Sequence, residues 1–242
     1  MKNIGLLYVV CGCLFCIACT PQPSNPAARK NAHVRSVEDS ARPLRKQKTE
    51  ERRTNKTYSA SEVFDRYNSA VFMVFTTDGW QGFQGSGFFV NSDGLAISNY
   101  HVFKGTGMGL ESIQLSDGNT YKIQEVVAKS EENDFIVFYV DIPGSCNYIP
   151  ISNRTNKVGE RVYAIGSPRG LENTFSSGEI SQLRDNNIIQ INAPIDHGSS
   201  GGALINEFGE VIGITSAGID DSGANLNFAI DISVVKPYVS NR

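Results

Sequence analysis

Cysteine that could form disulfides is nearly absent from this sequence. Of five cysteines in 242 residues, Cys11, Cys13, Cys16 and Cys19 fall within the first 19, leaving Cys146 alone in the remainder. An intramolecular disulfide framework is therefore excluded for the body, whose fold must rest on its apolar core. Histidine is scarce as well, with three residues, and the body contains no close His/Cys/Glu set at metal-ligand spacing. A metal hydrolase is thus poorly supported, and no metal or cofactor is expected. The longest apolar run, from Ile4 to Ala18, falls short of the roughly 20 residues that span a membrane as a helix. Interleaved basic and aromatic side chains are missing from the body, which is acidic, so nucleic acid is not expected as a partner.

What stands at the start is a leader. Lys2 precedes the charge-free run, small residues end it, and Thr20-Pro21-Gln22-Pro23 follows, which describes a secretory signal over residues 1–19. Ile17-Ala18-Cys19 resembles the end of a bacterial lipoprotein signal, which implies lipid on Cys19 and membrane attachment through it. Cleavage after Ala18 without lipid is the alternative, and Val10-Cys11-Gly12-Cys13 is a weaker match that leaves residues 14–18 unexplained. Residues 20–57 carry a net charge of +6 and few large apolar side chains, against −10 from residue 58 onward. Such a segment cannot offset its chain entropy and reads as a disordered basic tether, either a solvated linker or one that lies on anionic headgroups. The expected location is the bacterial cell envelope, as a periplasmic protein or a membrane-anchored lipoprotein.

Residues 58–242 read as an all-β domain. Ser59-Ala60-Ser61-Glu62 offers a capping box, and Val63, Phe64 and Tyr67 recur at helical spacing, predicting a short helix to about Asn68. Short apolar runs follow at 71–75, 87–90, 95–98, 113–115, 121–127 and 135–140. Asn91-Ser92-Asp93-Gly94 and Asp117-Gly118-Asn119 supply hairpin signals between them. Apolar content falls over 143–159, and a second series occupies 161–165, 174–183, 188–191, 203–205, 210–216 and 226–230. Two series of about six strands with almost no helix predict two packed antiparallel six-stranded barrels or sandwiches, over about 70–145 and 158–232. A closing helix over 231–239 is limited by Pro237.

The chemistry concentrates at His197-Gly198-Ser199-Ser200-Gly201-Gly202-Ala203-Leu204. A serine hydroxyl is a weak nucleophile, so Ser200 would need a base, a group that orients the base, and backbone donors facing the developing oxyanion. Glycine at 198, 201 and 202 permits a tight turn with backbone close to a substrate, although the segment alone also reads as a surface loop. His33 lies in the tether. His197 is too close to Ser200 on the same loop to face its hydroxyl easily while the intervening amides serve an oxyanion. His101, just after the 95–98 strand, remains as the base. Asp134 opens the strand at 135–140, where a carboxylate is either a solvated end or a buried partner that fixes the imidazole. The order His101, Asp134, Ser200 is that of one known triad lineage.

Ser98-Asn99-Tyr100-His101-Val102, Asn133-Asp134-Phe135-Ile136-Val137 and Gly198-Ser199-Ser200-Gly201-Gly202-Ala203-Leu204 resemble the three signatures of trypsin-fold serine proteases of the HtrA/DegP-like branch. The likeness continues through residues 162–171, 177–181, 189–195 and 227–230. It implies a double β-barrel with the site between the barrels, His101, Asp134 and Ser200 as catalytic residues, and an oxyanion hole at Gly198, Ser199 and Ser200, chiefly the amides of Gly198 and Ser200. It implies polypeptide substrates lying as an added strand along Ile214, Thr215 and Ser216. Pro194 stands where trypsin-like specificity places an acid, so a small or aliphatic side chain is expected on the acyl side of the cut, with Asp196 nearby. PDZ domains usual in that branch are not expected before Arg242, and His197 and Ser199 depart from its common residues. Homotrimers of the branch use aromatic contacts, for which Tyr58, Phe64 and Tyr67 are candidates, or else core residues. An exported endopeptidase of unfolded or damaged proteins is the first functional reading; a protease-fold chaperone or binding module with a resting site is the alternative.

Overall fold

A computed structural model describes residues 56–107, 109–167, 173–216 and 226–240, all within one compact unit spanning residues 46–242. Cys19, His33 and most of the tether lie outside the described residues. The capping box forms as the sequence predicts: the Ser59 amide donates to Glu62 Oε2 (2.8 Å) and the Glu62 amide to Ser59 Oγ (3.4 Å). The Ser59 amide and the Ser59 hydroxyl, which donates to the same Oε2 at 2.9 Å, hold the Glu62 carboxyl below its ordinary pKa. Helix α1 (Ala60–Tyr67) buries Val63 and Tyr67.

The first series of strands is β1 (Val71–Thr77), β2 (Gly82–Phe89), β3 (Leu95–Ser98), β4 (Ser112–Gln114), β5 (Thr120–Tyr121), β6 (Ile123–Ser130) and β7 (Phe135–Val140). They form one antiparallel sheet in the order β5-β4-β1-β2-β3-β7-β6. A closed barrel of six strands is expected here; the ladder instead has seven strands and stays open. The difference lies at Lys122, the single residue between β5 and β6. Its neighbours occupy the two opposite edges of the sheet, so the sheet curls until chain continuity, rather than a hydrogen-bonded ladder, joins them. The second series, β8 (Arg161–Gly166), β9 (Thr174–Arg184), β10 (Ile188–Ile191), β11 (Ala203–Asn206), β12 (Val211–Ser216) and β13 (Asn227–Asp231), closes fully in the order β10-β13-β12-β11-β8-β9.

Each barrel has an apolar interior of its own, around Phe72, Phe89 and Phe138 in the first and Ile180, Ile189 and Ile191 in the second. A third cluster bridges them, joining Phe88, Leu95 and Ile97 to Tyr163, Ile165 and Ile214 and covering them with Val63 and Tyr67 of α1. Tyr67 is therefore core, and its burial pushes the phenol pKa up to about 12. Phe64 packs edge-on against Phe175 at 5.8 Å, and Arg66 covers the Tyr58 ring at 4.7 Å. The aromatics considered for assembly are thus engaged within the chain.

The closing segment is divided rather than one helix. A 3-10 turn, Ile232–Val234, is capped by Asp231, whose Oδ1 accepts the Ser233 amide at 2.8 Å. Helix α2 (Lys236–Val239) then starts with Pro237 in its first turn, where the missing N–H costs nothing. Cys146 is the described free cysteine, with its thiol pKa pushed up by burial.

Candidate active site

His101 sits in a 3-10 turn, Tyr100–Val102, directly after β3. Asp134 ends the tight connection from β6 to β7, which pair along their length. β3 also pairs with β7, Ser98 opposite Ile136, so the ladder brings the two turns together. Asp134 Oδ2 lies 2.8 Å from His101 Nδ1 and its Oδ1 accepts the His101 amide at 2.9 Å. Of the alternatives open in the sequence, Asp134 is a partner and not a solvated end, with a side chain 24 % exposed. It adopts φ +45°, unusual for a residue with a β-carbon. Asn99, fully buried, donates from Nδ2 to the Asp134 carbonyl at 2.9 Å. Its Oδ1 has no hydrogen-bond partner among the described residues. Lys104 and Glu131 pair at 2.6 Å across the same two turns.

The Ser200 loop comes from the second barrel and is fastened to the first. Ser86 of β2 is the junction: its amide donates to the Ser200 carbonyl (2.8 Å), its Oγ donates to the Gly198 carbonyl (2.7 Å) and accepts the Ser167 amide (2.8 Å). Ser98 Oγ in turn donates to the Ser86 carbonyl at 2.7 Å. Gly201, at φ +89°, passes so close that a β-carbon would fall on the Ser86 carbonyl oxygen and Ser98 Oγ. Ser200, buried at 8 % exposure, thus lies against the strands that carry His101. Among the described residues no hydrogen bond joins its Oγ to the imidazole, a contact that often tightens only with substrate bound.

The turn preceding Ser200 has a defined hand. Ser199 donates its amide to the Asp196 carbonyl at 3.0 Å while Gly198 holds φ +92°, the type II arrangement. The Ser199 amide is therefore engaged, whereas those of Gly198 and Ser200 have no hydrogen-bond partner among the described residues. Thr215 braces the loop from the other side: Oγ1 donates to the Ser199 carbonyl (2.7 Å), its carbonyl accepts the Gly201 amide (2.8 Å), and its amide donates to the Gly202 carbonyl (2.9 Å).

That bracing corrects part of the expected substrate strand. Ile214 is fully buried between Ala203 and Ile230, and the Thr215 main chain is occupied by the loop, so neither offers a free edge. Ser216, half-buried at the end of β12, remains. Pro194 and Thr215 do line one cavity of about 470 Å³, together with Ile165, Phe175, Ile195, Asp196 and Ser199. No three His, Cys, Asp or Glu side chains converge as metal ligands among the described residues.

Sequence reasoning missed Ser86, and it names Ser98 and Asn99 only as members of the His101 signature, with no role of their own. The available signal was Gly85-Ser86-Gly87, since glycines inside a strand mark close approach of another backbone.

A two-barrel β-protein with an imidazole–carboxylate pair at the ends of one strand ladder and a glycine-bounded serine loop fastened to that same ladder has the architecture of a serine peptidase. The chain belongs to the trypsin-like peptidase family: the family described as "Trypsin-like peptidase domain" matches residues 85–214. It is 37 % identical over 164 residues to a protein of Buchnera aphidicola subsp. Acyrthosiphon pisum named a serine protease do-like, covering 63 % of this chain and 34 % of that protein. A Haemophilus influenzae protein named as a periplasmic serine protease do/HhoA-like is 36 % identical over 159 residues, 61 % of this chain and 34 % of its own. The chain thus aligns with about a third of the length of these relatives. The crystal structure of the serine endoprotease from Yersinia pestis superposes with a TM-score of 0.67 at 28 % identity, covering 76 % of this chain and 66 % of that one.

Proposed function

We propose that the chain is an exported serine endopeptidase that hydrolyses peptide bonds of unfolded or damaged polypeptides. The observation that carries this reading is the doubly bonded Asp134–His101 pair in the same junction as the fastened Ser200 loop. Ser200 Oγ attacks the peptide carbonyl as His101 Nε2 takes its proton; the imidazolium, stabilised by Asp134, then protonates the leaving amine. Water enters by the reverse sequence and releases the acyl group. The unengaged amides of Gly198 and Ser200 hold the oxyanion, while the Ser199 amide, bonded to Asp196, shapes the turn.

The acyl side of the substrate runs past Ser216. Its side chain enters the cavity bounded by Pro194, Ile195 and Phe175, whose apolar walls favour an aliphatic group; fastest cleavage after Arg or Lys would overturn this preference. The names of periplasmic relatives support export, and the leader supports lipid at Cys19, which the mass of the mature N-terminus decides. A homotrimer is the assembly that accompanies this reading.

The missing Oγ–imidazole hydrogen bond favours a second reading, a binding or chaperone module with a resting site. Fluorophosphonate labelling separates the two. The wild type should label and Ser200→Ala should not; absence of labelling in the wild type, with and without unfolded protein present, overturns the enzyme reading.

A further inference from the structure

The sequence contains one tryptophan, and it is the most exposed large apolar side chain among the described residues. Trp80 is 95 % exposed at the tip of the β1–β2 hairpin, with Phe83 at 44 % exposure beside it. An aromatic ring held in water normally accompanies a mobile tip, but this tip is tightly bonded. Asp78 Oδ1 accepts the amides of Trp80 (2.8 Å) and Gln81 (2.7 Å). Thr77 Oγ1 donates to the Gln81 carbonyl (2.7 Å) and accepts the Gly79 amide (3.0 Å). The backbone at Trp80 is thus fixed before any partner arrives, which reduces the ordering cost of binding.

The strand that carries this tip runs into the candidate active site. The Ser86 amide and carbonyl both point away from β1, toward Ser200 and Ser98. Main-chain groups of an antiparallel strand alternate sides with period two, so those of Gln84 and Gly82 point the same way as Ser86. β3 pairs with β2 only at Phe88 and Phe89. Among the described residues no strand covers Gly82 or Gln84 on that side. An open edge therefore leads from the Ser200 carbonyl contact outward for about 14 Å, four residues of strand, and ends at the two exposed aromatics.

We propose that Trp80 and Phe83 at the tip of this edge select a large apolar side chain within the first four residues of the substrate segment on the amine side of the cut. The proposal rests on the serine-endopeptidase reading. Open edge and aromatic tip fit one occupant, an extended polypeptide: main chain pairs with Gln84 and Gly82, and one apolar side chain covers the rings. The site also suits unfolded chains, which expose both features at once.

Two peptides identical up to the cut, with Leu or Ser at the second to fourth positions beyond it, supply the test. Wild type should prefer the Leu peptide by about tenfold in kcat/KM, and Trp80→Ala should bring the ratio close to one. Val158→Ala, an exposed apolar position preceding β8 of the second barrel, should keep it. In Ser200→Ala, titration with the Leu peptide should shift the emission of Trp80 to the blue. No preference in the wild type, a preference retained by Trp80→Ala, or an emission shift that follows protein concentration instead of peptide overturns the proposal; the last outcome would assign the hairpin to self-association. A peptidyl p-nitroanilide, which has no residues beyond the cut, keeps the two readings apart. If wild type fails to hydrolyse it, the endopeptidase reading falls and takes this one with it. Hydrolysis of the anilide without preference between the peptides removes only the role of Trp80.

Discussion

Asp134 holds φ +45°, a conformation that costs a residue with a β-carbon roughly 1 kcal/mol, and two bonds stabilise it there. One is the reach of Oδ1 to the His101 amide; the other is the amide of buried Asn99 on the Asp134 carbonyl. Asn99→Ala removes the second and frees the turn while leaving every reacting group in place. The expected result is a kcat lowered about tenfold, roughly 1.4 kcal/mol at the transition state, with KM little changed; an unchanged kcat would refute the positioning role. Asn99→Asp, which cannot donate to the carbonyl, should behave alike. At this scale the sequence reveals those residues whose type is rare or chemically loaded. With three histidines to choose from, His101 stood out; Ser86 did not. Its partners Gly198 and Ser167 lie 112 and 81 positions away, and no local pattern reports a bond over such a separation.

Elements were legible where they bury one face in a regular period. The helix at Ala60–Tyr67 and the strands β3, β7 and β10 match their apolar runs. The first half of β2 was not visible. Gly82-Phe83-Gln84-Gly85-Ser86 has no alternation because its inward positions must stay small: a β-carbon on Gly85 would strike Val102 at 2.7 Å. The β1–β2 hairpin depends instead on the Asp78 carboxylate, whose pKa is held below the ordinary aspartate value by the amides of Gln81 and Trp80. A depressed carboxylate pKa contributes stability above the unfolded value, and that contribution is lost as pH falls through the folded one. The tip should therefore remain ordered down to about pH 4, the ordinary aspartate range, and loosen only below it. Fluorescence anisotropy of Trp80 should drop over that acid window in the wild type. Asp78→Asn, which keeps an acceptor but cannot titrate, should show no such step; a step of equal size in both proteins would sink the assignment.

Two barrels need not mean two independently folding units, and the distribution of the core decides the matter. Phe72 and Ile191 belong to separate interiors, but Phe88, Ile97, Tyr163, Ile165 and Ile214 share a third cluster closed by α1. Ser86 adds polar bonds to both sides of the junction. Loss of either barrel would expose that shared apolar surface and leave the Gly198 carbonyl and Ser167 amide without their partner, so neither barrel is stable alone. Calorimetry should then show one transition with matching calorimetric and van't Hoff enthalpies. Ile191→Ala, in the second barrel, should cost about 2–5 kcal/mol and lower that single midpoint on the order of 10 °C. The sharper readout is amide exchange in the first barrel: protection of β3 and β7, which share no interior cluster with Ile191, should fall in Ile191→Ala by the same free energy as global stability. Wild-type protection there, or two resolved transitions, would show that the barrels fold separately and that the candidate active site is assembled by docking.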